Sequence, residues 1–119
     1  MKRDMDLIRK LMLHLEELDG TGISHSNLLD GYTGEEVMYH NYLLADAGLA
    51  IGCDSSSSNS FLPQWHLNAL TWNGHEFLDA ARNEANWKRA KERFAGVGGF
   101  SLSILKELLL AFMKQQIGL

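Results

Sequence analysis

Cysteine occurs once, at Cys53, and proline once, at Pro63. A single thiol cannot close an internal disulfide, so the stapled framework of a small secreted scaffold is excluded. One proline leaves no proline-rich linker. No run approaches the roughly 18 apolar residues of a membrane-spanning helix. The opening Met1-Lys2-Arg3-Asp4-Met5-Asp6 turns acidic where the apolar centre of a signal peptide would begin, so the expected compartment is the cytoplasm. Cations are short as well: 11 Lys and Arg stand against 15 Asp and Glu, a net charge of −4. That balance disfavours coating nucleic acid or anionic lipid by bulk charge. What is present is 119 residues, 45% of them apolar, enough to bury a core without staples.

Charge is unevenly spread. Residues 1–60 carry four bases against ten acids, a net −6, and residues 61–119 carry seven against five, a net +2. The only low-complexity piece is Ser55-Ser56-Ser57-Ser58-Asn59-Ser60, which has nothing to bury and reads as a loop.

Ile8, Leu11, Met12, Leu15 and Leu18 draw one apolar stripe and predict a helix from about Asp4 to Leu18. Asp19-Gly20 and Gly22 stop it. Around Ile23 a short strand is expected, then loop. Thr33 with Glu36 has capping-box spacing and opens a second helix with the stripe Val37, His40, Leu44 and Ala47, ended by Gly48. Ala50 to Asp54 is compatible with a strand, and Trp65, Leu67 and Ala69 alternate with Gln64, His66 and Asn68 as in a half-buried one. The two make a hairpin with a long serine-rich tip. A third helix is expected from Thr71 or Asn73 to about Phe94, then a break at Gly96-Val97-Gly98-Gly99. A last helix, capped by Ser101 or Ser103, reaches about Gln116.

Helix, short strand, helix, hairpin, helix is the order of an α+β winged-helix domain whose hairpin tip is the wing. The helix usually found in the Asp19–Tyr32 gap is degenerate or missing, since that gap holds three glycines. The expected organisation is a winged-helix-like domain over residues 1–99, with a C-terminal helix over 100–119 packed on it.

The opening Met1-Lys2-Arg3-Asp4-Met5-Asp6-Leu7-Ile8-Arg9 resembles the start of an uncharacterised family of small bacterial and phage proteins, a domain of unknown function. Tyr32-Thr33 to Leu49, Leu70-Thr71-Trp72-Asn73-Gly74-His75-Glu76-Phe77-Leu78-Asp79-Ala80 with Arg82 and Trp87, and Lys106-Glu107-Leu108 are similar to it as well. The resemblance implies a winged-helix-like fold and a regulatory setting in phage or prophage. It brings no activity and no catalytic residues.

Enzyme motifs are absent. Gly96-Val97-Gly98-Gly99 lacks the Lys-Ser/Thr of a phosphate loop, and no serine stands in a nucleophile elbow. Glu16-Glu17 and Glu35-Glu36 are adjacent pairs, which diverge by about 100° on a helix; they read as solvated faces. The five histidines show no metal-ligand spacing on one element. A site from His66, His75 and Cys53 is conceivable, but no metal or other cofactor is expected. His40 lies on an apolar stripe and reads as a packed histidine with one ring nitrogen bonded to a backbone carbonyl; a pH-sensitive role is the other reading. Cys53 reads as inert.

In a winged helix the helix before the hairpin reads DNA. Its outward face here is Glu35, Met38, Tyr42, Ala45 and Asp46 with Tyr39 at the edge, and it has no Lys or Arg. That face is wrong for phosphates and bases, whereas tyrosine and methionine suit protein interfaces. The interaction surface is therefore expected at Met38, Tyr39, Tyr42 and Asp46. Against this, Lys88, Arg89, Lys91 and Arg93 cluster within six residues as candidate phosphate contacts. Glu84 and Glu92 are interleaved with them, and Arg82, Lys88, Arg89 and Arg93 do not share one face.

The last helix is apolar beyond one stripe. Leu105, Leu109, Phe112 and Met113 are expected at a two-fold homodimer interface. Two functions follow. The first is a cytoplasmic regulatory or protein-interaction module of bacterial or prophage origin, not an enzyme, which dimerises and binds an unknown protein. The second is a winged-helix DNA-binding transcriptional regulator. No membrane partner is expected.

Overall fold

The computed structural model describes residues 1–17, 29–54, 65–95 and 101–118. Asp4 opens α1 (Met5–Glu17) by accepting through Oδ1 the backbone N–H groups of Asp6 at 2.9 Å and Leu7 at 3.3 Å. These are two of the donors that a helix start leaves without intrahelical partners. The predicted stripe then turns inward at Ile8, Leu11, Met12 and Leu15, with Leu7 buried beside them, while Leu18 lies outside the described residues. Thr33 and Glu36 close the expected capping box and start α2 (Gly34–Asp46). At its other end Gly48 takes φ 74°. The Gly48 N–H reaches the Ala45 carbonyl and the Leu49 N–H the Leu44 carbonyl, a pairing that needs the left-handed conformation glycine adopts without strain.

β1 (Ala50–Asp54) and β2 (Trp65–Leu70) pair antiparallel, as the hairpin reading requires. Their faces are not the predicted ones throughout. Ile51 pairs with Ala69 and Gly52 with Leu67, so Asn68 is an extra residue in β2. Such a bulge reverses the in–out parity beyond it. Leu67 is buried as expected, but the next inward residue is Leu70, and Ala69 is exposed. α1 packs on α2 and β2, and α2 lies against both strands.

α3 (Trp72–Ala81) begins at Thr71, whose Oγ1 accepts the Gly74 N–H at 3.0 Å and donates to the Gly48 carbonyl at 2.6 Å. One side chain thus ties the end of α2 to the start of α3. Gly74 faces the Leu49 backbone so closely that a Cβ there would overlap the Leu49 carbonyl oxygen.

The single helix expected to run to Phe94 is instead two, α3 and α4 (Glu84–Phe94). Asn83 takes an extended conformation and its side chain accepts the Asn86 N–H at 2.9 Å, starting a new helix. The apolar pattern continues through this corner, so periodicity alone does not reveal it; Asn83-Glu84, a cap followed by a first-turn acid, is the signal that does. α5 (Leu102–Gln116) follows Ser101, whose side chain makes no capping bond. α4 packs on α5.

Among the described residues the fold is α+β, five helices and one two-stranded antiparallel sheet. None of these helices is long and apolar enough to cross a membrane. The expected strand at Ile23, most of the Asp19–Tyr32 gap, the serine loop and the Gly96–Gly99 break lie outside the described residues. The chain divides into two compact units, Met1–His75 and Glu76–Leu119, with α3 running across the boundary. Residues 61–75 hold no Asp, Glu, Lys or Arg, so the units carry the net charges −6 and +2 read from the two halves.

Candidate interaction surfaces

In the first unit, Glu35, Met38, Tyr39, Tyr42 and Asp46 follow one another along the side of α2 away from buried Val37, His40 and Leu44. Glu35 and Asp46 are exposed; Met38, Tyr39 and Tyr42 are half-buried. The tyrosine rings stand 6.1 Å apart at 36°, and Tyr42 lies 5.8 Å from Trp65 at 57°. Trp65, read from the alternation only as a strand residue, thus extends the aromatic row onto β2. Offset contacts of this kind hold the rings as a surface rather than as independent side chains.

Behind the row, two buried polar residues of α2 set its position. Asn41 is wholly buried; its Nδ2 donates to the Trp65 carbonyl at 2.9 Å, and its Oδ1 has no hydrogen-bond partner among the described residues. His40 is 1% exposed. Its Nδ1 donates to the Glu36 carbonyl at 2.7 Å, and its Nε2 accepts the Asp4 N–H at 2.8 Å. The carbonyl bond is the one expected of a packed histidine. The Asp4 bond is new, and it fixes the Nδ1–H tautomer, because a backbone N–H can only donate. Sequence spacing could not find it, since the partner lies 36 residues away.

Cys53 is exposed and pairs with His66 across the hairpin. Among the described residues no group of three or more His, Cys, Asp and Glu comes together for a metal.

In the second unit, Lys88, Arg89 and Arg93 are exposed and Lys91 is half-buried. Arg89 and Arg93, four residues apart on α4, converge on one ring of α5: their guanidinium carbons lie 4.1 and 5.7 Å from the Phe112 centroid. The four bases Arg82, Lys88, Arg89 and Arg93 are not expected to share one face, but within that set Arg89 and Arg93 are neighbours, as helical residues i and i+4 are. Nearby, the buried Asn86 amide and the Gln116 amide exchange two hydrogen bonds, at 3.2 and 3.1 Å, and Phe77 meets Trp87 edge-on at 6.5 Å.

Three of the four residues expected at a dimer interface are already buried within the single chain: Leu105 and Leu109 at 0% exposure and Phe112 at 3%. They form the inner face of α5, the correction following from which side of a helix apolar beyond one stripe the chain itself covers. Met113 is half-buried. The apolar surface still available on α5 is led by Ile104, 57% exposed, with Leu108 half-buried one turn on.

A family model described as "Hypothetical protein (DUF2513)" matches residues 2–101. The chain belongs to that family. It is also 38% identical over 122 residues to an uncharacterized protein of Haemophilus influenzae (strain ATCC 51907 / DSM 11121 / KW20 / Rd), covering 98% of this chain and 99% of that protein. No solved structure matches. The DUF2513 match includes the α2 row and the α4 arginines and ends just before α5, leaving that helix outside.

Proposed function

We propose that this DUF2513 protein is a small cytoplasmic regulatory or protein-interaction module of bacterial or prophage origin, of winged-helix type and not an enzyme. The element order supports the winged-helix reading: α1, then α2 packed on a hairpin, then α3. One observation carries the functional part. The helix that would read DNA presents Tyr39 and Tyr42, joined by Trp65, between exposed Glu35 and Asp46, with no cation along the row. Phosphate recognition needs the opposite charge. A row of braced aromatics with acids at both ends suits a protein segment carrying basic residues, through cation–π contact and charge.

A photo-crosslinking amino acid at position 42 tests this in the native host. A discrete protein adduct is expected from position 42, weakened by Glu35→Lys with Asp46→Lys. The same crosslinker at exposed Asn68 should give no such adduct. No adduct at 42, or an equal one at 68, rejects the reading.

Self-association belongs to the same proposal, now through the Ile104 side of α5 rather than the buried Leu105 side.

A further inference from the structure

Arg89 and Arg93 are a pair of like charges braced on a single ring. Their guanidinium carbons can stand no farther apart than their two distances to the Phe112 centroid laid end to end. Among the described residues neither has a carboxylate in ion-pair contact, although Glu92 lies between them in sequence. Arg82, in the corner between α3 and α4, differs: Asp79 holds it at 3.0 Å. The ring attracts each guanidinium by its face but supplies no acceptor for the N–H donors at their edges. Those donors form planar forks that match the oxygens of a phosphate group. The brace also removes side-chain freedom that a ligand would otherwise have to take away.

We propose that Arg89 and Arg93, held on Phe112, form a site for the oxyanion of a phosphate group. The site lies in the unit of net charge +2 and uses no residue of the α2 row, so it stands or falls separately from the interaction face. The phosphate comes either from a free phosphate ion or from a nucleic-acid backbone, and the test separates the two.

The probes are inorganic phosphate and a fluorescein-labelled mixed-sequence duplex, each titrated into the full chain at low salt. The readouts are the side-chain Nε–Hε resonances of Arg89 and Arg93, assigned with the single Arg→Lys variants, and duplex anisotropy. Movement of both resonances with either probe is expected. If the duplex is the source, its affinity should fall with salt with a log–log slope of about −2 for two contacts. R89Q/R93Q should then weaken binding about tenfold or more, the loss of charge-assisted bonds, while Arg82→Gln, which removes the same charge nearby, stays within about twofold. If phosphate alone moves the resonances, the source is the free ion. Silence of both resonances with both probes overturns the proposal, as does an equal loss in R82Q. The wild-type resonances decide the matter even if R89Q/R93Q fails to fold.

Discussion

His40 joins the start of α1 to the middle of α2 by taking the Asp4 N–H on one nitrogen and giving a proton to the Glu36 carbonyl with the other. His40→Phe keeps the volume but leaves the Asp4 donor without its acceptor in a partly buried setting. It is expected to cost about 1–3 kcal/mol in urea unfolding, and His40→Ala more, because a cavity is added. A cost under about 0.5 kcal/mol for His40→Phe, within the range of an ordinary surface change, would show that the bond contributes nothing. Gly74 offers a sharper case, because its neighbour is backbone and cannot rotate away. Gly74→Ala should lower stability by about 1–3 kcal/mol or prevent folding, as overpacking does, although alanine is the better helix former. An unchanged or raised melting temperature would contradict the close approach.

At the scale of elements, three helix starts invite direct comparison. Thr33 and Asn83 make capping bonds through their side chains, whereas Ser101 makes none. Thr33→Ala and Asn83→Ala should each cost about 1 kcal/mol, while Ser101→Ala should fall within about 0.5 kcal/mol of zero. Equal costs at Ser101 and Asn83 in thermal unfolding would refute this ranking. The capping box at Thr33 was plain in the sequence because its parts lie three residues apart. The corner at Asn83 was hidden by the apolar residues on either side, Ala81 before it and Trp87 after it, which keep a helical period. The bulge at Asn68 had no local signature at all, because an alternating run states which residues share a face only while pairing remains regular.

For the molecule as a whole, charge and exposed apolar surface set the expected behaviour. The two compact units carry −6 and +2, and α5 exposes Ile104. If copies associate through that side, light scattering at tens of micromolar should give a dimer for the wild type and a monomer for Ile104→Glu, since a buried charge without a partner is costly. A wild-type monomer at that concentration ends the proposal, and an Ile104→Glu dimer moves the interface elsewhere.

Local chemistry was enough to place α1, α2, both strands, the packed His40 and the outward row Glu35–Met38–Tyr39–Tyr42–Asp46, because caps, periods and helix faces act over a few residues. Three things required the assembled fold: that Leu70 rather than Ala69 turns inward, that Trp65 completes the aromatic row, and that Arg89 and Arg93 share Phe112. Each depends on a strand or helix brought alongside from far along the chain, and a contact of that kind leaves no mark in the spacing of residues on either partner.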